Sequence, residues 1–385
     1  MLARRLHGMT STIFSTMSAL AVRTGSVNLG QGFPDTSGPD GLLTAAQEAI
    51  AAGANQYAPG IGIPQLRSAI AGHQRRHYGV ELDPDSEVCV TTGCTEAIAA
   101  ALLGLVDPGD EVMVLEPYYD SYVAMLQMAG AVRRPVTLRA PDFRLDADQL
   151  RAAVSDRTRF VLLNSPHNPT GTVLTRAELQ AVADLAIERD LVVITDEVYE
   201  HLVFDDHEHV PIATLPGMWE RTLTLSSVGK SYSVTGWKIG WATGPSSLVS
   251  GLLAAKQWLS FTSGTPFQHA VAHALEHEAD FPRQLAADLG KRRDQLCEGL
   301  AEIGLPPRVP EGTYFATTDV GHLGWPDGLA FCEALPERAG VVAIPEQFFY
   351  DDVDAGRHLV RWAFCKEPEV IEEGLERLRR GALEH

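Results

Sequence analysis

Short apolar runs alternate with amphipathic stretches along the first two thirds of the chain, and most of the runs end in polar residues. The runs predict strands at 87–91, 111–115, 159–163 and 191–195, while amphipathic periodicity predicts helices such as 97–105 and 176–189. Continuous apolar strands are typical of parallel sheets that helices cover on both faces. The pattern therefore predicts an α/β fold with a mainly parallel sheet, and a ligand site along the carboxyl edge of its strands.

The last third of the chain has a different pattern, which indicates a second, smaller domain. A long charged helix is predicted at 281–303, followed by strands at 313–319, 341–344 and 358–364. We predict an N-terminal arm with part of the small domain at 1–40, a large domain at 41–280 and a C-terminal small domain at 281–385. The N- and C-terminal segments together would form this smaller α/β domain.

Charge and cysteine content narrow the range of partners. The net charge is −19, from 31 basic and 50 acidic residues, which argues against nucleic acid and anionic membranes. The five cysteines are widely spaced and form no C-x-x-C pair, so neither a disulfide framework nor a metal site is predicted. No apolar run reaches the length of a membrane span. We expect a cytoplasmic protein that acts on small molecules.

The stretch 223–241 carries the first candidate chemistry. It begins and ends as an apolar strand and contains two lysines in a polar loop. Lys230 has a primary amine that can form a Schiff base, and burial would lower its pKa toward neutrality. Lys238 and Ser227 could hold a phosphate beside it. This combination fits pyridoxal 5'-phosphate (PLP), although a surface lysine between two strands is the alternative, because Ser-x-x-Lys alone is a weak pattern.

Further polar residues follow the predicted strands. The turn at 92–96 precedes a helix and could offer backbone N–H groups to a phosphate, although any α/β unit turns in this way. Asp196 directly follows an apolar strand and needs a cationic partner if it is buried. Arg361 lies between apolar residues, where it would either bind an anionic ligand or form an internal ion pair. Other candidates near strand ends or in loops are Tyr57, Tyr119, Asn168 and Tyr199.

Taken together, these residues make the chain resemble the fold-type I PLP enzymes, specifically the class I aminotransferases, over nearly its whole length. The matching segments are NLGQGFP at 28–34, NQY at 55–57, NPTG at 168–171, DEVY at 196–199, GK at 229–230, TGWK at 235–238 and HLVR at 358–361. The chain is most similar to the actinobacterial N-succinyldiaminopimelate aminotransferases and to the kynurenine/glutamine aminotransferases. With the former it shares MSALA at 17–21, SPHN at 165–168 and AIP at 343–345.

The resemblance implies a role for each matching residue toward the cofactor. Lys230 would hold PLP as a Schiff base and then move a proton between the substrate α-carbon and the cofactor. Asp196 would pair with the pyridine nitrogen, and Tyr119 would stack on the ring. The remaining cofactor contacts would be Tyr199 and Asn168 at the phenolate oxygen, and Ser227, Lys238, the backbone of Cys94 and Thr95, and Tyr57 of a neighbouring subunit at the phosphate. The expected unit is therefore a homodimer.

Toward the substrate, the resemblance implies that Arg361 clamps the α-carboxylate, that the Gly32 backbone approaches it and that Asn168 lies beside it. Phe14 occupies a position on the substrate wall that is tryptophan in the kynurenine-type enzymes, which argues against a preference for aromatic amino acids. Cys94 replaces the usual glycine or alanine of the phosphate turn. The segment from Trp258 to Phe267 is expected to form a further part of the pocket wall.

The activity implied is transfer of an amino group from an L-amino acid to a 2-oxo acid, with 2-oxoglutarate as the expected acceptor. The single substrate that the resemblance favours is N-succinyl-LL-2,6-diaminopimelate. Two alternatives stay open at this point. One is a PLP enzyme that catalyses β- or γ-elimination or carbon–carbon bond formation, since the same lysine and aspartate serve those reactions. The other is a regulator that binds PLP without turnover.

Overall fold

The computed structural model describes residues 3–9 and 11–385; Met1, Leu2 and Thr10, which belong to the predicted segment 1–40, lie outside the described residues. The helices are α1 (Ile13–Thr24), α2 (Asp40–Ala51), α3 (Pro64–Tyr78), α4 (Gly93–Leu105), α5 (Asp120–Ala129), α6 (Ala147–Ala152), α7 (Arg176–Glu188), α8 (Val228–Ser231), α9 (Ser246–Leu259), α10 (Thr265–His277), α11 (Phe281–Glu302), α12 (Gly328–Ala339) and α13 (Pro368–Arg380). The strands are β1 (Val27–Asn28), β2 (Val88–Thr91), β3 (Glu111–Glu116), β4 (Val132–Thr137), β5 (Thr158–Asn164), β6 (Val192–Asp196), β7 (Thr222–Ser227), β8 (Gly240–Thr243), β9 (Pro307–Arg308), β10 (Phe315–Asp319), β11 (Val341–Val342), β12 (Ile344–Pro345) and β13 (Leu359–Ala363).

A seven-stranded sheet forms the centre of the molecule, in the order β2-β8-β7-β6-β5-β3-β4. Only β8 runs antiparallel to its neighbours, so the other strands end at one common edge. The central strands β3 and β5–β7 are buried almost throughout, as their continuous apolar runs predict. The predicted mainly parallel α/β sheet is confirmed.

Two smaller sheets join the ends of the chain. Strand β1 pairs in parallel with β11, and β12, β13, β10 and β9 form an antiparallel sheet. The N-terminal and C-terminal segments therefore contribute to the same part of the molecule. The division at residues 40 and 280 stays a prediction.

The structure differs from the sequence-based expectations at three places. Lys230 lies in the short helix α8 and not in a loop. Helix α4 begins at Gly93, earlier than the predicted residue 97, because the small residues that suggested a turn already form its first turn. Strand β4 was not predicted from the sequence, because it carries no apolar run. It is an edge strand in which only Val136 is fully buried.

The buried apolar residues form a main core and a smaller one. The main core extends from the central sheet to the small sheets and includes Leu162, Ile194, Leu225 and Trp362. The smaller core lies where α2, α3 and α10 pack beside β2 and β8. Within the described ranges, no helix is long and apolar enough to cross a membrane.

Candidate active site

One pocket of about 320 Å³ lies at the carboxyl edge of the central sheet. Every site residue predicted from the sequence lines it except Tyr57; they are Phe14, Gly32, Cys94, Thr95, Tyr119, Asn168, Asp196, Tyr199, Ser227, Lys230, Lys238 and Arg361. Asp196 and Ser227 are the last residues of β6 and β7. Because parallel strands end at one edge, residues far apart in sequence converge there.

Lys230 extends from α8, directly after β7, into the pocket. Its Nζ donates a hydrogen bond to the Tyr314 hydroxyl at 2.9 Å, and that hydroxyl donates to the Gly32 carbonyl oxygen at 2.7 Å. Burial lowers the pKa of Lys230 to about 8. A substantial fraction of the amine is therefore neutral near physiological pH, and a neutral amine is what nucleophilic attack on a carbonyl requires.

Asp196 lies at the bottom of the pocket with its carboxylate fully buried. It accepts hydrogen bonds from the Tyr122 hydroxyl at 2.7 Å, the Cys94 thiol at 3.5 Å and the Val198 amide at 3.3 Å. The expected cationic partner is not among these donors. Burial raises the pKa of Asp196 in spite of them, so a positive group brought beside it would be strongly stabilised.

Another part of the pocket, at the start of α4, is suited to an anion. Helix α4 begins at Gly93, whose φ of +70° and missing side chain let Lys238 approach; a Cβ at this position would lie 3.1 Å from Lys238 Nζ. Lys238 Nζ lies 3.5 Å from Thr95 Oγ1, and Ser227 lines the same part of the pocket. Free backbone N–H groups of a long helix, a lysine and hydroxyls together form a typical phosphate site.

Arg361 is buried on β13 and faces the pocket from the small sheet. Its guanidinium donates to Asn168 Oδ1 and to the Gly30 carbonyl oxygen, both at 3.1 Å, and it lies 3.9 Å from the centre of the Phe315 ring. Among the described residues, its Nε has no hydrogen-bond partner. Since its partners are uncharged, the arrangement favours an anionic ligand over an internal ion pair.

The comparisons with known proteins agree with this geometry. A family model for aminotransferases of class I and II matches residues 24–378. The chain belongs to this aminotransferase family. The structure of N-succinyldiaminopimelate aminotransferase from Mycobacterium tuberculosis is 54% identical to it, with 98% of this chain and 99% of that chain covered and a TM-score of 0.96.

Other relatives of the aminotransferase are named for different activities. The methionine aminotransferase of Escherichia coli is 39% identical, with 98% of this chain and 97% of the relative covered, and its structure aligns with a TM-score of 0.95. Human kynurenine–oxoglutarate transaminase 1 is 36% identical, with 99% of this chain and 98% of the relative covered. The resemblance stated from the sequence is confirmed, and nothing in these matches favours elimination, carbon–carbon bond formation or a non-catalytic regulator.

The family is dependent on PLP, and the donor set of this aminotransferase fits that cofactor. The pocket offers a primary amine for the carbonyl group, a buried carboxylate for the ring nitrogen and a cationic cradle for the phosphate. Tyr119 adds an aromatic ring, and its edge contact with Tyr122, at 5.7 Å between ring centres, keeps it in place. Burial raises the pKa of Tyr199, so its hydroxyl stays protonated and can act as a donor.

Tyr57 is the predicted site residue that lies outside the pocket. Its side chain is 84% exposed and contacts Phe261 edge to face, at 5.7 Å between ring centres. Trp258 is 83% exposed. The prediction that residues 258–267 form part of the pocket wall is therefore wrong for a single chain, because no residue of this segment lines the pocket.

Several pocket residues escaped the sequence-based prediction, notably Tyr122, Asn164, Tyr314 and Phe315. Tyr122 could have been found, because it lies one helical turn beyond Tyr119 and so faces the same side of α5. Tyr314 lies in the turn directly before β10 and Phe315 begins that strand, and no local pattern indicated that this part of the chain reaches Lys230.

Replacing Tyr122 with phenylalanine tests how strongly the Asp196 carboxylate depends on its shortest hydrogen bond. We expect kcat/KM to fall roughly tenfold and the dissociation constant of PLP to rise, because a hydrogen bond to a charged group contributes about 1.5–3 kcal/mol. Steady-state kinetics and equilibrium dialysis of PLP measure the two effects. The matched control is Tyr118→Phe, since the Tyr118 hydroxyl donates to Asp351 at the same 2.7 Å outside the pocket. Equal losses in both variants would contradict the prediction.

Proposed function

We propose that the physiological donor of this aminotransferase is N-succinyl-LL-2,6-diaminopimelate and that 2-oxoglutarate is its acceptor. The observation that supports this donor is the 54% identity, over nearly the full length of both chains, to the N-succinyldiaminopimelate aminotransferase of Mycobacterium tuberculosis. Phe14 supports this donor. Its ring packs on Phe349, at 5.6 Å between ring centres, at a position where the kynurenine-type enzymes have the larger indole of a tryptophan.

When bound, PLP supplies a carbonyl group that condenses with amines and a ring that accepts electrons from the substrate α-carbon. Lys230 would hold the cofactor covalently through Nζ. Once the substrate amine has released it, the same Nζ would take the proton from the substrate α-carbon and deliver it to the cofactor. The Tyr314 hydroxyl, 2.9 Å from Nζ, would keep the free amine in place during this step.

The other residues would bind and orient. Asp196 would hold a proton on the ring nitrogen, since its buried carboxylate is stabilised by a positive neighbour. Tyr199 and Asn168 would donate to the phenolate oxygen. Ser227, Lys238 and the first turn of α4 with Cys94 and Thr95 would bind the phosphate, and Tyr119 would cover the ring.

Arg361 would bind the substrate α-carboxylate with its two terminal nitrogens, helped by Asn168 and the Gly32 backbone. Its guanidinium lies among the rings of Phe14, Phe315 and Phe349, at 4.9, 3.9 and 5.6 Å from their centres. These rings exclude water and so strengthen the ion pair. They also fix the plane of the guanidinium, which a two-point contact with a carboxylate requires.

We also propose that two chains form the active unit. Tyr57, Trp258 and Phe261 are exposed large side chains at one place, and Lys256 fixes this loop by donating to the Phe261 carbonyl oxygen at 2.6 Å. A partner surface would bury these rings and bring Tyr57 to the phosphate of the second pocket. Sedimentation equilibrium tests the dimer, and a monomeric active enzyme would contradict it.

We propose a cytosolic location as well. All five cysteines are free and buried, which suits a reducing compartment and shows no disulfide that an oxidising one would be expected to form. Cell fractionation with activity as the marker tests this proposal.

The donor is tested with the purified enzyme and a panel of amino compounds that includes N-succinyl-LL-2,6-diaminopimelate, methionine, kynurenine and glutamate. We expect the visible band of the bound cofactor to disappear with the true donor and to return with 2-oxoglutarate, and kcat/KM to be highest for the succinylated compound. A higher value for methionine or kynurenine would contradict the substrate. Release of ammonia without any oxo acid would contradict transamination itself.

A further inference from the structure

Three histidines from two separate segments come together outside the cofactor pocket. His73 and His77 lie one turn apart on α3, and His201 lies in the turn after β6. One ring nitrogen of each lies within 4.8 Å of the others, and the ring centres are 4.6, 4.8 and 5.0 Å apart. Within the described ranges, this is the one group of histidine, cysteine or acidic side chains with such spacing.

We propose that His73, His77 and His201 bind a divalent transition-metal ion, with Zn²⁺ as the ion that fits best. Imidazole nitrogen is a preferred ligand of zinc, copper and nickel, and two histidines four residues apart on a helix can chelate one ion. Three protein ligands leave a fourth position of a tetrahedral zinc open for water. The sequence did not predict this site, because His201 meets His73 and His77 only in the folded chain.

The surroundings favour a cation at this position. Glu200 is buried next to the cluster, and its carboxylate accepts hydrogen bonds from the Tyr78 and Ser226 hydroxyls, both at 2.6 Å. Arg76, which precedes His77 on α3, donates to the Leu275 carbonyl oxygen of α10 at 2.5 Å.

Access and fit set limits on the affinity. His73 is buried, His201 is partly buried and His77 is exposed, so an ion would enter past His77. The Nε2 atoms of His73 and His201 are 2.7 Å apart, a hydrogen-bond distance. Two ligands of a tetrahedral zinc with Zn–N bonds of about 2.0–2.1 Å lie about 3.4 Å apart, so these rings must separate slightly on binding. The site is therefore expected to be weaker than a preformed structural zinc site.

A bound ion would connect α3 to the turn that follows β6. Asp196, the last residue of β6, and Tyr199, in this turn, both line the cofactor pocket. The ion would therefore stabilise the fold close to the active site, and an ion that binds only the folded chain raises its melting temperature.

The chain contains a matched control for the experiment. His273 and His277 form a second pair four residues apart on α10, with ring centres 4.6 Å apart, as for His73 and His77, and His277 is likewise exposed. No third histidine, cysteine or acidic ligand completes that pair among the described residues. The variants His77→Gln and His277→Gln therefore remove equivalent surface rings, one from the proposed site and one from a simple helical pair.

The test uses holoenzyme without a polyhistidine tag, stripped with a chelator and titrated with Zn²⁺ by calorimetry. We expect one strong site per chain in the wild type and in His277→Gln, and an affinity at least about tenfold weaker in His77→Gln and in His201→Gln. Zn²⁺ should raise the melting temperature of the first two proteins only. Equal affinity in the wild type and His77→Gln, or an equal loss in His277→Gln, would overturn the proposal, as would the absence of strong binding in the wild type.

Discussion

Replacement of Lys230 with alanine is expected to abolish turnover, with a loss of roughly 10⁴-fold or more in kcat, while the protein stays folded. The amine would form the covalent link to the cofactor and also move the proton at the α-carbon, and general acid–base catalysis alone contributes about 10²–10⁴-fold. The visible absorption of the covalently held cofactor should be lost as well. Absorption spectra and single-turnover kinetics measure both effects.

Two controls separate the amine from the charge and from folding. Lys230→Arg keeps a cation in the pocket without a primary amine and should be as inactive as the alanine variant. Lys291→Ala removes an exposed lysine that pairs with Asp288 at 2.9 Å, and it should leave activity unchanged. Activity near the wild-type level in Lys230→Ala would rule out this lysine as the covalent partner.

Replacement of Arg361 with alanine is expected to lower kcat/KM by about 10²-fold or more, chiefly through a higher KM. Removing one partner of a buried hydrogen-bonded charge pair costs about 2–5 kcal/mol, and the substrate carboxylate would lose such a partner. The effect should be absent for an amine substrate without an α-carboxylate. Steady-state kinetics on both kinds of substrate measure it.

Arg293 provides the matched control, because it is also a buried arginine, but it pairs with Asp205 at 2.7 Å away from the pocket. Arg293→Ala should lower the melting temperature and leave KM unchanged. Arg361→Lys keeps the charge but loses the two-point contact, so it should recover only part of the lost activity. An unchanged KM in Arg361→Ala would show that the carboxylate binds elsewhere.

The most accurate predictions from the sequence concern residues directly attached to apolar strands. Asp196 and Ser227 end β6 and β7, so their place at the sheet edge follows from chain direction alone. Lys230 follows Ser227 by three residues, and its position is therefore fixed whether the connection is a loop, as predicted, or the short helix α8 that the structure shows. Errors in local structure near a strand end have little effect on where the side chain lies.

Residues that reach the site from other layers could not be predicted in the same way. Tyr314 precedes β10 and Arg361 lies on β13, yet only Arg361 was anticipated, because an arginine among apolar residues is unusual whereas a tyrosine there is ordinary. The role of Tyr122 depends on a contact between distant parts of the chain, because its hydroxyl reaches from α5 to Asp196 at the end of β6. Tyr57 lies outside the pocket of its own chain, and its contact with the phosphate of a neighbouring subunit stays a prediction.

The sequence by itself determined the α/β fold through the periodicity of its apolar residues, and the aminotransferase family through its matching motifs. It also pointed to the charged residues of the pocket, because such side chains are costly to bury without a partner. Only the tertiary structure decided which hydroxyls meet Lys230 and Asp196 and that His73, His77 and His201 share one place. Such contacts join elements distant in the chain. The physical reason is that packing sets the distance between two elements, and no local pattern of apolar and polar residues encodes that distance.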